Sequence, residues 1–517
     1  MAKRAAASKD YYLNTGLKTR MSIKREETES GRMAAAIIDK IPKDFDVYED
    51  YDVNEAHLAR AIVDTCGRWM RYCPQMGWLV YMEDEGRWTE TYAESAVQRV
   101  IIHFGNLLWE NASPANAGEV SYARRILSSA GINAVKNILK HDTVIAVEQN
   151  KFDADPDLLN CMGEAYNLRT GESRPAEPED LFSKSTACKA ATLKKEKDGG
   201  WKFPGMPKKF EGFLEKVTSK DGERRADLAY YLLSWFGYCL TGDNGASFFV
   251  NFHGGGKNGK SVLLNLMFDL FRDYAVTLPK DVVIENYFQG QFDLAGLPGA
   301  RLAVLIDAPE GRLNMDMLKP ITTGDVINAK RKYLKDLSFK PVCKIAIGSN
   351  PRLTLKDTGM AVRRRIRMVP FDYIVPDDEI VTNLHRLLLK EEAAEILALL
   401  IWFAHEYYRK GEGPAAFPKC KVVDEASVEY MESEDLVGRW VKERTEGAEG
   451  NTESAASLYE DFKKWLDEEG VRKKMSRNKF GEHLGTHIKK KRIGDTISYL
   501  DIKLKYDPNP PLPSPGG

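Results

Sequence analysis

The sequence predicts a multidomain α/β protein organised around a phosphate-binding loop. The chain has 517 residues, enough for about three or four domains. From about residue 246 to 372, apolar strand-like runs alternate with helical patterns, as is typical of a parallel α/β sheet. Within this stretch, HGGGKNGKSVLLNLM places a glycine-rich turn between a strand and a helix.

The glycine-rich turn fits a motif with a clear physical purpose. Gly254, Gly259, Lys260 and Ser261 match G-x-x-x-x-G-K-[ST]. Glycines let successive backbone N–H groups face one anion, and the following helix adds partial positive charge. We therefore expect ATP at this turn, with Lys260 on its β- and γ-phosphates. The expected binding residues are Gly254, Gly255, Gly256, Lys257, Asn258, Gly259, Lys260, Ser261 and Val262.

Two later strands end in polar residues that suit the same ligand. Asp307 ends an apolar strand, and with Ser261 it is expected to hold Mg²⁺. Glu310 follows three residues later and is a candidate for orienting the attacking water. Asn350 ends the next strand, where its amide can bond the γ-phosphate and that water. Asp307 can also be read as a turn residue, and Ser-Asn-Pro is a common turn. Ligands of such sheets bind at the carboxyl ends of the strands, which favours one shared site.

An arginine run precedes the last strand of this region. Arg363, Arg364 and Arg365 are candidates for an arginine finger. Such a finger stabilises charge on the transferring phosphoryl group and requires a dimer or a ring. The alternative is a solvated charged face.

Two other basic stretches are candidates for binding nucleic acid. The first interleaves cations with an aromatic ring: Lys330, Arg331, Lys332, Tyr333 and Lys335. The second follows a helix and precedes a hairpin, the outline of a winged helix: Lys489, Lys490, Lys491 and Arg492. A solvated hairpin and a solubilising patch are the respective alternatives.

Patterns along the chain divide it into seven segments. These are a flexible basic tail (1–45), which can also be read as a nucleic-acid-binding arm, a mixed α/β N-terminal domain (46–205), a helical collar (206–245), the ATPase (246–372), a helical extension (373–415), a winged-helix domain (416–505) and a disordered proline-rich tail (506–517).

The bulk composition excludes several classes of protein. A formal net charge of −1 means that any nucleic-acid surface must be local. Seven scattered cysteines without a C-x-x-C pair argue for a reduced, cytoplasmic protein and against a disulfide scaffold. No apolar run is long enough to span a membrane. The eight histidines do not cluster with carboxylates, so we expect no structural metal.

The ordered motifs resemble superfamily 3 helicases, and most closely the helicase part of phage and plasmid primase-helicases related to the poxvirus primase-helicase. The similar stretches include LLSWFGYCLTG, GGGKNGKSVLLNLM, LKPITTGDVINAKRKY, IAIGSNPRL and RRRIRMVPF. They extend over residues 50 to 372, and LYEDFKKWLDEEG resembles the C-terminal end of the same group.

The resemblance implies a homo-hexameric ring of AAA+-type ATPases with ATP between subunits. It implies single-stranded DNA in the channel, 3′-to-5′ translocation and forked DNA as substrate. By this match, 330–335 is the channel hairpin, Asn350 the sensor, and Arg364 or a neighbour the finger. Many members have two adjacent acidic residues at this point, whereas in this sequence Asp307 is followed by Ala308. About 45 residues precede the match, too few for a primase, so we expect a separate primase partner.

The leading hypothesis is an ATP-driven replicative helicase of a phage or mobile element, working in the cytoplasm of a bacterial host. The second is an initiator or helicase loader whose ATPase is a switch and whose winged helix dominates. A third is a defence or packaging ATPase on the same core. Competition between origin-like and random duplex separates the first two hypotheses. DNA-dependence of hydrolysis and polarity of unwinding separate the third.

Overall fold

The computed structural model describes residues 28–50, 52–197, 200–287, 294, 296–329, 337–471, 475–493 and 496–505. An N-terminal domain packs helices on a small antiparallel sheet of order β1-β2-β3. Its strands are β1 (Met70–Cys73), β2 (Gly77–Met82) and β3 (Arg87–Thr89). Its helices are α1 (Glu29–Ile38), α2 (Val47–Asp50), α3 (Glu55–Cys66), α4 (Ala93–Asn111), α5 (Ala117–Ile126) and α6 (Ser129–Leu139).

The tail predicted over residues 1–45 is too long. Helix α1 begins after Thr28, whose hydroxyl caps it by accepting from the Gly31 N–H. Met33, Ala34 and Ile37 of this helix are buried in the core of the N-terminal domain. The alanine-rich run AAAII therefore supplies an apolar helix face, and residues 29–41 belong to the domain.

The region predicted to be an ATPase (246–372), called the ATPase region after that prediction, contains a five-stranded parallel sheet of order β13-β7-β12-β9-β8. Its strands are β7 (Phe249–His253), β8 (Ala275–Thr277), β9 (Leu302–Ala308), β12 (Lys344–Ser349) and β13 (Ile366–Pro370). The shorter helices around it are α9 (Lys260–Phe271), α10 (Lys280–Val283), α11 (Met315–Thr323) and α12 (Met360–Arg363). The chain order reverses beside β7, and such a switch point is where open α/β sheets bind ligands.

One face of this parallel sheet is covered by two helices that precede it in the chain and one long helix that follows it. They are α7 (Lys208–Thr218), α8 (Ala226–Leu240) and α13 (Leu384–Arg409). Helix α8 packs tightly on α13, since a Cβ on Gly237 would lie 2.5 Å from the Cβ of Phe403.

A second small sheet joins the N-terminal region to the ATPase. Its strands are β4 (Leu158–Asn160), β5 (Glu164–Asn167) and β6 (Ser173–Pro175). Leu159 and Tyr166 share one core with the ATPase helices. The buried guanidinium of Arg301 donates to the carbonyls of Pro156 and Leu158 and so fixes this junction. The boundary predicted near residue 205 therefore lies after residues that already pack on the ATPase.

The hairpin arms β10 (Ile327–Ala329) and β11 (Leu337–Phe339) pair antiparallel. The predicted nucleic-acid residues Lys330, Arg331, Lys332, Tyr333 and Lys335 come between these arms in the chain and lie outside the described residues. The terminal segments 1–27 and 506–517 also lie outside them.

The C-terminal domain has three helices and an antiparallel sheet of order β14-β16-β15. Its elements are α15 (Leu436–Arg444), β14 (Thr445–Ser454), α16 (Ala455–Glu468), α17 (Arg477–His487), β15 (Lys490–Ile493) and β16 (Thr496–Leu504). Trp440, Phe462 and Phe480 meet in its core. None of the helices in the described parts of the chain is long and apolar enough to cross a membrane.

The predicted start of this domain at residue 416 is wrong. The preceding helix, α14 (Lys421–Glu434), packs on strand β13 of the ATPase. Its Tyr430 and Met431 are buried among the residues of the ATPase sheet. The C-terminal domain therefore begins at about residue 435. The polar composition of α14 hid this division, because five acidic residues and two serines are among its 14 residues.

Candidate nucleotide site

The phosphate-binding motif forms a loop between strand β7 and helix α9, as predicted. Gly256, Lys257 and Gly259 have positive φ angles of 99°, 50° and 80°. A Cβ on Gly254 would lie 2.4 Å from the carbonyl oxygen of Phe371, and one on Gly259 would lie 2.3 Å from a methyl of Val217. Sterics thus require glycine at both ends of the loop.

Lys260 lies at the centre of the site, and its side chain is buried, with 4% of the residue exposed. Its Nζ donates to the Gly254 carbonyl at 2.8 Å and to Asn258 Oδ1 at 2.9 Å. A third bond, of 3.0 Å, goes to Asn350 Oδ1 at the end of the neighbouring strand β12. Burial lowers the pKa of Lys260 to about 8, although the charge of Asp307 opposes this shift. The ammonium therefore gains stability from any anion that enters the loop.

Asn350 and Asp307 occupy the carboxyl ends of adjacent strands. Strand β12 lies between β7 and β9, so Asn350 is beside the loop and Asp307 is one strand farther away. Asp307 is exposed, and so is Ser261 at the start of α9. Ser349 is buried and contacts the amide oxygen of Asn251 on β7 at 3.0 Å. The strand ends thus gather Lys260, Asp307 and Asn350 at one edge of the sheet.

The residues present fit a magnesium–nucleotide complex. A Cβ on Gly254 or Gly259 would clash with neighbouring residues, so these two glycines allow the loop its conformation. A hydroxyl from Ser261 and a carboxylate from Asp307 are both exposed, and hard oxygen donors of this kind suit Mg²⁺. No cluster of metal-binding side chains is found elsewhere among the described residues.

Glu310 is exposed and follows Asp307 by three residues. It lines a surface cavity of about 350 Å³ together with Glu285 and Arg312, which form an ion pair of 3.4 Å. No contact of the described residues links it to Lys260. The expectation that Glu310 orients the attacking water therefore stays a prediction.

The three consecutive arginines have different surroundings. Arg363 donates to the Thr358 carbonyl at 2.8 Å and pairs with Asp435 at 3.2 Å. Arg365 is buried and donates to the Ala361 carbonyl. Arg364 is exposed. Of the three, Arg364 is thus the one with a side chain that faces outward from its own chain.

The sequence reasoning missed a cavity of about 460 Å³ beside the loop. Its walls include His253, Arg352, Glu429, Lys220 and Asp372. Arg352 pairs with Glu429 of α14 at 2.7 Å. The buried Nδ1 of His253 has no hydrogen-bond partner in the described parts of the chain. Burial, followed by the charges of Arg352 and Lys260, lowers the pKa of His253.

A segment after β13 also contacts the loop and was not anticipated. The Val375 N–H donates to the Lys257 carbonyl at 2.7 Å. Asp377 pairs with the Lys257 ammonium at 2.7 Å, at an exposed position. The only sequence signal for this contact is the acidic run PDDE that follows the strand.

The second basic stretch lies on the C-terminal domain. Lys489, Lys490, Lys491 and Arg492 are all exposed, and the last three are on strand β15. Lys490 and Arg492 lie opposite Tyr499 and Ile497 of β16. The domain thus presents a cationic edge next to the end of helix α17.

Three family models match separate parts of the chain. Residues 59–218 match the model described as D5 N terminal like, and residues 432–509 match the one described as poxvirus D5 protein-like. Two separate parts of the chain thus match D5-type family models. This confirms the resemblance to the group related to the poxvirus primase-helicase. Between these D5-type regions, residues 252–365 match a family of unknown function.

Two curated viral proteins are similar to this D5-like chain. "Putative helicase L207/L206" of Acanthamoeba polyphaga mimivirus is 26% identical over 257 residues, covering 48% of the chain and 25% of that protein. "Putative helicase 022R" of Frog virus 3 (isolate Goorha) is 24% identical over 289 residues, covering 51% of the chain and 28% of that protein. The chain thus matches only about a quarter of each relative's length.

Among solved structures, two apo structures of the NrS-1 C terminal region are similar to the chain. One has 11% identity and a TM-score of 0.47, over 87% of the chain and 100% of that structure. The other, an A form, has 12% identity and a TM-score of 0.43, over 75% of the chain and 79% of that structure.

Proposed function

We propose that the chain is an ATP-driven DNA helicase of the superfamily 3 type. The observation that carries this proposal is the contact between Lys260 of the phosphate loop and Asn350 at the end of the adjacent strand. This pair, with Asp307 nearby, provides what phosphoryl transfer needs from a protein: a cationic cradle and a polar group aimed at the γ-phosphate. The D5-type domains and the viral relatives named as helicases support the choice.

ATP binding exchanges internal contacts for contacts with the nucleotide. Lys260 leaves the Gly254 carbonyl and bonds the β- and γ-phosphates, while backbone N–H groups of 255–261 surround the β-phosphate. Asn350, released from Lys260, bonds the γ-phosphate and the attacking water. Ser261 and Asp307 hold Mg²⁺, which neutralises charge on the phosphates when bound.

The chain acts as a homo-hexameric ring in this proposal. Arg363 and Arg365 are engaged inside their own chain, whereas Arg364 is exposed. Arg364 therefore reaches the γ-phosphate bound to a neighbouring subunit. Such a contact stabilises the charge that develops in the transition state.

DNA is bound by two parts of the chain. The cations of 330–335, carried between the arms β10 and β11, track single-stranded DNA in the ring and move with ATP turnover. The C-terminal domain has the element order of a winged helix, and its basic strand β15 contacts the DNA backbone. This division suits forked DNA, with translocation from 3′ to 5′ on one strand.

The protein serves replication of a phage or mobile element in the cytoplasm of its bacterial host. Its primase function is supplied by a separate replication protein. Both statements rest on the resemblance to phage and plasmid primase-helicases.

Strand displacement on forked DNA tests the proposal. Substrates with a single 3′ tail or a single 5′ tail are incubated with ATP and Mg²⁺, using Lys260→Ala as the inactive control. We expect unwinding only with the 3′ tail and only with Lys260. Hydrolysis and duplex binding without unwinding would instead favour the initiator or loader.

Within the same assay, Lys332→Ala combined with Lys335→Ala tests the hairpin. We expect unwinding to fall far more than hydrolysis, because these cations grip the strand that is moved. Lys340→Ala, at an exposed lysine just beyond arm β11, is the matched control. Equal unwinding by the double variant and the control would remove the hairpin from the mechanism.

A further inference from the structure

Asp435 lies at the joint between the ATPase and the C-terminal domain. Helix α14, which packs on strand β13, ends at Glu434, and helix α15 begins at Leu436. Asp435 Oδ1 accepts the Gly438 N–H at 2.9 Å and so caps α15. The carboxylate is 7% exposed. A buried carboxylate is retained only where it is paired, so its partners define what the joint does.

The other carboxylate oxygen of Asp435 joins two distant parts of the chain. Arg363 Nη2 lies 3.2 Å from it and belongs to the ATPase. His487 Nε2 lies 3.1 Å from it and is the last residue of helix α17. Burial acts to raise the pKa of Asp435, but the bonds from His487 and Gly438 and the charge of Arg363 hold it below its usual range. The side chain thus stays ionised and keeps both partners.

Each partner stands next to a group with a proposed role. Arg363 ends helix α12 and directly precedes Arg364. His487 is followed within two residues by the exposed cations of 489–492. A displacement of either neighbour therefore acts on Asp435 through one hydrogen bond.

Helix α14 provides a rigid connection from this joint to the nucleotide cavity. Ser427 Oγ accepts the Met368 N–H of strand β13 at 2.9 Å. Glu425 and Glu429 of α14 line the cavity beside the phosphate loop. Three features thus meet on one helix and the residue that ends it: the cavity, the arginine segment and the basic strand.

We propose that Asp435 is a positioning residue that couples nucleic-acid binding at strand β15 to the placement of Arg364. Nucleic acid on 489–492 shifts the end of α17, His487 transmits the shift to Asp435, and Asp435 adjusts Arg363 and thereby Arg364. The inference rests on the proposed function. The part of this coupling that acts on equilibrium binding is reciprocal, so a change in nucleotide affinity on nucleic-acid binding is matched by an equal change in nucleic-acid affinity on nucleotide binding.

Asp435→Asn tests the coupling in the full-length chain. Asparagine keeps the oxygen that caps α15 but removes the charge that holds Arg363 and His487. ATP hydrolysis is measured with and without a single-stranded oligonucleotide. Oligonucleotide affinity is measured with and without a non-hydrolysable ATP analogue. We expect basal hydrolysis within about twofold of wild type and a loss of about fivefold or more in stimulation by the oligonucleotide. The effect of the nucleotide analogue on DNA affinity should also weaken.

Three further variants make the result decisive. His487→Gln breaks only one arm and should reproduce the loss, even if Asp435→Asn proves unstable. Arg363→Lys keeps a cation on the ATPase side and should retain part of the coupling. Arg439→Gln breaks the exposed pair of Arg439 with Glu469, on the same helix α15, and should leave stimulation unchanged.

The outcomes separate this inference from the proposed function. If the oligonucleotide stimulates Asp435→Asn and His487→Gln as strongly as wild type, the inference is overturned and the proposed function is unaffected. If the basal rate, the stimulated rate and the melting temperature of the variants all fall together, Asp435 has a purely structural role. That result also overturns the inference. A wild-type chain whose hydrolysis ignores DNA overturns the proposed function first.

Discussion

At the scale of single residues, two lysines of one loop have opposite surroundings. Lys260 is buried and bonds three oxygen atoms of the site, whereas Lys257 is exposed and pairs with Asp377. A buried group that faces developing charge contributes far more to catalysis than an exposed ion pair contributes to stability.

Lys260→Ala is therefore expected to lower the rate of ATP hydrolysis by about 100-fold or more. Lys257→Ala, three positions earlier in the same loop, should stay within about threefold of wild type because its ion pair is solvated. Phosphate release at saturating ATP measures both. Similar losses in the two variants would contradict the assignment of Lys260 as the phosphate-binding lysine.

Lys344 is a second buried lysine, and its effect is on stability. Its Nζ donates to the carbonyls of Thr241 and Val342 and lies 4.7 Å from the centre of the Tyr238 ring. Burial lowers its pKa to about 7 from an ordinary value of 10.5. Between these two values the unfolded chain binds the proton and the folded chain does not, so folding is favoured as pH rises through this window.

We expect the unfolding free energy of wild type to rise relative to Lys344→Met by up to about 1.4 kcal/mol per pH unit between pH 7 and 10. Below pH 7 both states bind the proton and the difference should become constant. Denaturant titrations at pH 6, 7 and 9.5 measure it. Lys340→Met, at an exposed lysine four residues earlier, is the control and should show no such slope. Parallel pH dependence of wild type and Lys344→Met would contradict a neutral buried amine.

At the scale of elements, the phosphate loop is shaped by contacts with its neighbours. Gly259 has a φ of +80° and lies against Val217 of α7, and Gly254 lies against the carbonyl of Phe371 after β13. Gly255 has open space around its Cβ position and no positive φ. The same residue type thus has different importance within one loop.

Gly254→Ala and Gly259→Ala are each expected to weaken ATP binding by about tenfold or more, since strain of 1–3 kcal/mol must be relieved by moving the loop. Gly255→Ala should bind within about twofold of wild type. Equilibrium titration with a fluorescent ATP analogue gives the three affinities. A loss in Gly255→Ala as large as in the other two would indicate that sequence spacing, not packing, determines the loop.

At the scale of the whole molecule, local motifs were predictable and long-range contacts were not. The order of strand, loop and helix locates Lys260, and the polar ends of apolar strands locate Asp307 and Asn350. The contact of Arg363 with Asp435 joins positions 72 residues apart and leaves no local pattern. Strand β14 was also missed, because TEGAEGNTES lacks apolar alternation and forms a strand by pairing with β16.

Two predicted domain boundaries were wrong for a related reason. Helices α1 and α14 each follow or precede a polar stretch, and only tertiary packing reveals which domain buries their apolar faces. The exposure of Arg364 likewise follows from helix α12 and the buried position of Arg365. A run of three arginines in a sequence does not distinguish them.

The proposed ring leads to a prediction that can be tested only with mixed subunits. If Arg364 acts on ATP bound to a neighbour, Lys260→Ala and Arg364→Ala are each inactive but disable opposite sides of an interface. In an equal mixture, about a quarter of interfaces join an intact Lys260 to an intact Arg364. Mixing two inactive proteins should therefore restore ATP hydrolysis to roughly that fraction, measured after the subunits have exchanged. Mixtures that stay inactive despite proven exchange would place Arg364 in its own subunit's site, or remove it from catalysis.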